Sequence, residues 1–151
     1  MFRTRLSDSL KDAMKAKDKG AVSTLRLILA AMKDRDIAAR TKGKADGIAD
    51  DEILDLLQKM VRQRQDSIEM YEKGGRRDLV DKEAAEIEVI ERFLPKQLNE
   101  DEIRAAVNEV IDGLEASSIK DMGRVMGELK QRYTGRMDFA RAGAMVKERL
   151  S

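Results

Sequence analysis

Apolar residues recur every three or four positions along most of the chain, and the pattern divides into seven segments, each predicted to be helical. The first covers 2–17 and sets Phe2, Leu6, Leu10 and Met14 on one face. Gly20 marks a break. The second covers 21–40 with a stripe of Val22, Leu25, Ile28, Leu29 and Met32. Leu27 and Ile37 lie off that stripe, so this helix is expected to be contacted on two sides. Residues 41–50 hold two glycines, two lysines and little apolar content, and are expected to form a mobile loop. The third segment, 51–73, carries Ile53, Leu57, Met60, Val61, Ile68 and Tyr71, with Asp50 as its N-cap and Gly74-Gly75 as its end. The fourth, 78–94, carries Leu79, Ile87, Ile90 and Leu94 and stops at Pro95, because the residue before proline is pushed out of the helical region.

Beyond Pro95 the helices shorten. Asn99 caps the fifth, with Glu102 completing a capping box, and its stripe is Ile103, Val107, Val110, Ile111 and Leu114. Ser118 caps the sixth, which presents Met122, Val125, Met126, Leu129 and Tyr133 and ends at Gly135. Asp138 caps the seventh, with Ala142, Met145, Val146 and Leu150 inward. The expected architecture is all-α: an N-terminal four-helix unit over 1–95 and a C-terminal three-helix unit over 96–151, joined by the stretch from Pro95 to Asn99.

Two features break the helical pattern. Gly123 and Gly127 sit one turn apart in the sixth helix, where each glycine costs about 1 kcal/mol against alanine. That double cost predicts another backbone packed close against their face. Arg64 and Glu83 sit in the middle of the apolar faces of the third and fourth helices. A buried unpaired charge costs several kcal/mol, so an antiparallel hairpin turning near Gly74 is expected to pair Arg64 with a carboxylate, Glu83 first and Glu86 second. The alternative is a partner groove in which Arg64 awaits an acidic or phosphate group.

Composition narrows the chemistry. Charged residues make up 39% of 151 residues, yet net charge is +1, which excludes a bulk polycation; any nucleic-acid affinity must be a local patch. There is no cysteine and no histidine, hence no thiolate chemistry and no usual neutral-pH proton shuttle. Ser117 and Ser118 have no base to activate them. Acidic clusters at Asp50 to Glu52 and Asn99 to Glu102 are helix starts, so no metal, cofactor or catalytic residue is expected. The first 17 residues lack an apolar signal core and carry Asp8 and Asp12, and no run is long enough to span a membrane. The expected location is the cytoplasm. Charge is also uneven. Residues 96–116 hold two basic and six acidic side chains; residues 117–151 hold eight basic and four acidic.

The combination Asp66-Ser67-Ile68 with Tyr71, Arg77-x-Leu79, Phe93-Leu94-Pro95, Met122-Gly123-x-Val125-Met126-Gly127 and Gly135-Arg136-x-Asp138 resembles the YqeY proteins. It also resembles the tail of the GatB subunit of tRNA-dependent amidotransferase, whose pattern they share. Met137 stands where that pattern has a small residue. The resemblance covers nearly the whole chain and implies a tRNA-linked accessory role beside an aminoacyl-tRNA synthetase or amidotransferase subunits. It implies phosphate contact through Arg124 and Arg136, which sit in the two glycine motifs, followed by Lys130, Arg132 and Lys147. A carbon–nitrogen ligase label belongs to the resembled family. The catalytic body that precedes the tail in GatB has no counterpart in seven predicted helices, so no independent catalysis is expected. Neither DNA nor a membrane is an expected partner. The competing reading is a helical protein–protein adaptor without RNA contact.

Overall fold

A computed structural model describes residues 1–151. The protein is all-helical: α1 (Phe2–Lys15), α2 (Lys19–Thr41), α3 (Asp50–Lys73), α4 (Arg77–Glu91), α5 (Glu100–Gly113), a 3₁₀ turn (Ile119–Asp121), α6 (Met122–Arg132) and α7 (Phe139–Leu150). It divides into two compact units, Met1–Leu94 and Pro95–Ser151.

In the first unit, Leu6, Leu25, Ile28, Met32, Ile53, Leu57 and Ile90 fill the core. The break between α1 and α2 lies at Ala16–Asp18 rather than at Gly20. Asp18 Oδ1 accepts from Ala21 N–H at 3.1 Å, so α2 is capped two residues earlier than the glycine suggests. Because α1 stops at Lys15, its inner face is Phe2, Leu6, Leu10 and Ala13, and Met14 points to solvent. The second side of α2 is likewise uncovered, leaving Leu27 and Ile37 exposed. Asp50 lies inside α3, whose N-cap is Ala49. Helix α4 ends at Glu91, and the following turn buries Phe93 in the core.

The segment expected to be a mobile loop is pinned at one end. Asp36 continues the inward stripe of α2 and is buried. Its carboxylate accepts two bonds from the Arg3 guanidinium, both 2.7 Å, and one from Ile48 N–H at 2.9 Å, while Arg3 also donates to Ile48 O at 2.8 Å. One ion pair therefore ties α1, α2 and the loop before α3, and it draws Ile48 into the core. Gly47 lies directly against it with φ 82°, and a Cβ there would sit 2.3 Å from Asp36 Oδ1.

The Arg3 hydrogen bonds hold the Asp36 carboxyl at about 2, with the Ile48 N–H helping. An unfolded carboxyl titrates near 3.9, so the folded value is depressed. The stability it contributes is present above about pH 5 and is lost as pH falls through 3.9 toward 2. The shift corresponds to about 2 kcal/mol, and solvent at half-exposed Arg3 screens part of it, leaving about 1–2 kcal/mol. Urea unfolding at pH 7 and pH 2.5 is expected to show that loss in the wild type and a smaller loss in Asp36→Asn. Equal acid losses in both proteins would contradict it.

Candidate nucleic-acid interface

The second unit packs Ile103, Val107, Val110, Val125, Leu129, Ala142 and Val146 into its own core. Met137 joins them at 1% exposure, so the departure from a small residue is a core filling. The segment after Pro95 lies on the α6–α7 turn: Leu98 N–H donates to Arg136 O at 2.8 Å, and Gln97 Nε2 to Gly135 O at 2.6 Å. Gly135 makes that turn with φ 77°. Ahead of α6, Asp121 Oδ2 accepts from the N–H groups of Ser117 (3.0 Å) and Ser118 (3.4 Å), and the Ser117 bond chiefly lowers its pKa.

The sixth helix turns its glycines outward. Nothing lies within 4 Å of a Cβ built on Gly123 or Gly127, and both residues are exposed. The expected close backbone is absent. The reason is angular: at 100° per residue the inner stripe of Met122, Val125, Met126, Leu129 and Tyr133 leaves positions 123 and 127 on the opposite side. The glycine that does face a neighbour is Gly143 of α7, whose Cβ would meet the Met126 and Met122 methyls at 3.8 and 3.9 Å.

The cations expected to meet phosphate fall into two groups. Arg124 is exposed but engaged, donating to Leu114 O at the end of α5 (3.1 Å) and to Asp121 (3.3 Å). Arg136 is half-buried and donates to Lys96 O at 3.3 Å. Arg132 is paired with Glu128 at 2.7 Å. Arg141 and Arg149 are paired with Asp138 and Asp112. Lys130 and Lys147 are exposed with no intramolecular partner, and so is Lys120, which was not among the expected contacts. Gly123, Gly127 and Lys130 lie off the inner stripe of α6 by helical angle, and Lys120 belongs to the 3₁₀ turn just before it. Lys147 lies on α7, which meets α6 through Met122 and Met126, on the side away from the two glycines. A bare strip of helix backbone thus has an unpaired lysine near each of its two ends, Lys120 and Lys130. The signal for Lys120 was its place one turn before Gly123.

Arg64 lies in the first unit. Its Nε donates to Glu86 Oε2 at 2.8 Å, its Nη1 to Met60 O at 3.1 Å, and the two charged side chains are 14% and 16% exposed. The acid is Glu86 because the hairpin turns about Gly75 (φ 69°), eleven residues from each partner, rather than about Gly74. Glu83 is half-buried on the same helix without meeting Arg64.

The family described as "Yqey-like protein" matches residues 3–150. The chain belongs to the YqeY-like family. Among relatives of this YqeY-like protein is "Altered inheritance of mitochondria protein 41, mitochondrial" of Pyrenophora tritici-repentis. It is 32% identical over 134 residues, covering 87% of this chain and 71% of that protein. The protein of the same name from Lachancea thermotolerans is 38% identical over 115 residues (75% and 59%). That of Kluyveromyces lactis is 35% identical over 115 residues (74% and 60%). The chain thus spans between 59% and 71% of these relatives' lengths. Their names correct the cytoplasmic expectation: the similar proteins are mitochondrial. The composition of the first 17 residues was not a sound guide to compartment, since the relatives extend beyond the matched region. No helix is long and apolar enough to cross a membrane.

Proposed function

We propose that this YqeY-like protein is an accessory of tRNA-dependent amidation that holds structured tRNA through the outer face of α6 and the adjoining edge of α7. The observation that carries this reading is the exposed Gly123–Gly127 strip with unpaired Lys120 and Lys130 near its two ends, and unpaired Lys147 on the neighbouring helix. A glycine in an exposed helix is destabilising and fills no packing need there, while it lets another backbone approach closely. A sugar–phosphate chain riding on that strip would place its phosphates at the lysines, giving affinity by shape and charge without base reading. Arg124 and Arg136 contribute field from fixed positions, since both also hold the unit's own backbone. The similarity to the amidotransferase tail supplies the biological setting, and catalysis is left to a partner.

Replacing Gly127 by alanine separates function from fold. It is expected to stabilise the unit by about 1 kcal/mol in thermal unfolding and to weaken tRNA retardation in a gel. Changing Lys120, Lys130 and Lys147 together to glutamine is expected to lower the slope of log affinity against log salt by about 2–3, roughly one for each phosphate no longer neutralised. Retardation that is equal and weak for wild type and both variants overturns the proposal. A copurifying protein without any tRNA shift would favour the adaptor reading.

A further inference from the structure

We propose that the corner between α1 and α2 is a docking site for an acidic amphipathic helix of a partner protein. An open groove of about 630 Å³ lies there, floored by Met14, Val22 and Leu27 and rimmed by Lys17, Lys19 and Arg26. Met14 and Leu27 are 51% and 45% exposed, although both are large apolar side chains on otherwise regular helices. No carboxylate lines the groove. None of the three rim cations has an intramolecular partner, whereas most other arginines of the unit are paired or bonded to carbonyls. Apolar floor and uncompensated positive rim together define the complement: apolar side chains at helical spacing flanked by carboxylates.

Backbone conformation supplies a second, independent observation. Lys17 has φ 58°, the left-handed region where glycine or asparagine rests more easily. That residue is one of the lysines lining the groove. Exposed Ile37 lies about 15 Å further along α2 but about 80° round the helix from Leu27, so the apolar patch of the groove ends at the corner. Lys33 and Asp34 lie between these two residues and cancel in charge, so the positive bias belongs to the corner itself. A bilayer is the poorer fit, because the exposed apolar residues are few and do not form the continuous apolar face of an interfacial helix.

The test uses the full chain with isotope-labelled methyl groups. The probe is a synthetic amphipathic peptide of about 16 residues, leucines on one face and glutamates on both flanks. A matched peptide carries lysines in place of the glutamates, and phosphatidylcholine vesicles doped with phosphatidylglycerol are the third probe. The acidic peptide is expected to shift the Met14, Val22 and Leu27 signals saturably with a Kd below about 1 mM. Lys17→Gly, Lys19→Gln and Arg26→Gln combined are expected to weaken that binding about tenfold while thermal unfolding stays unimpaired, since glycine accepts the left-handed turn. Leu27→Ser is expected to remove the shifts. Absence of saturable shifts at the floor residues overturns the proposal, as does an equal response to the lysine peptide. Binding only to vesicles, or self-association that shifts the same residues, overturns it in favour of a membrane or a second copy. tRNA retardation is read separately, so its failure leaves this test intact.

Discussion

Alanine in place of Gly47 is expected to destabilise the first unit by about 3–4 kcal/mol. Two costs combine. A φ of 82° is left-handed, which for an L side chain costs about 1–2 kcal/mol. The added Cβ would also sit 2.3 Å from Asp36 Oδ1, 2.7 Å from its Cγ and 3.2 Å from Arg3 Nη2. None of these groups is free to yield. Asp36 is buried and holds Ile48 N–H, and Arg3 holds both Asp36 and Ile48 O. The loop must move away and leave a buried carboxylate partly unpaired, a class of loss worth several kcal/mol. Urea unfolding measures the cost. Gly43→Ala is the control: its φ is also positive (92°), but nothing lies within 4 Å of its Cβ, so only the conformational part is expected there. Equal losses at the two glycines would show that contact with the ion pair carries no weight.

The second large effect is expected at Arg64. Arg64→Ala should cost about 3 kcal/mol, because Glu86, only 16% exposed in the intact pair, loses its partner. Replacing both partners, as Arg64→Met with Glu86→Leu, is expected to recover most or all of that loss, since a buried ion pair is often no better than apolar packing of similar volume. A double variant as unstable as Arg64→Ala would mean that Arg64 matters through its bond to Met60 O and its packing instead. A wild-type stability in Arg64→Ala would leave the groove reading of this residue standing.

Helix type and most inner faces were legible because each depends on residues three or four apart. Asn99 with Glu102, Asp138 ahead of α7 and Gly135 in its turn are local signals of the same kind. The Arg132–Glu128 pair, at i, i+4, belonged to that class too and would have marked Arg132 as engaged. Contacts distant in sequence were not legible. Arg3, Asp36 and Ile48 meet across separations of 33 and 12 residues, and only the oddity of an acid on the inner stripe of α2 pointed to them. Gly123 and Gly127 were misread for a different reason. Helical glycine signals that something approaches the backbone, yet the sequence does not say whether that something is part of the same chain. Compartment was not legible at all from the charge pattern of α1.

The second unit separates its charge along the chain: six acids and two bases up to Ala116, then eight bases and four acids. With net charge close to balance, such a unit feels little pull from a polyanion at long range but a torque at short range. Under the proposed tRNA contact, its basic helices would turn toward the incoming strand and its acidic helix α5 away. Approaches that lead with α5 are repelled. On that proposal the division of charge acts on the orientation of productive collisions, and added salt is expected to slow association by blurring the sense of direction before it weakens the complex once formed.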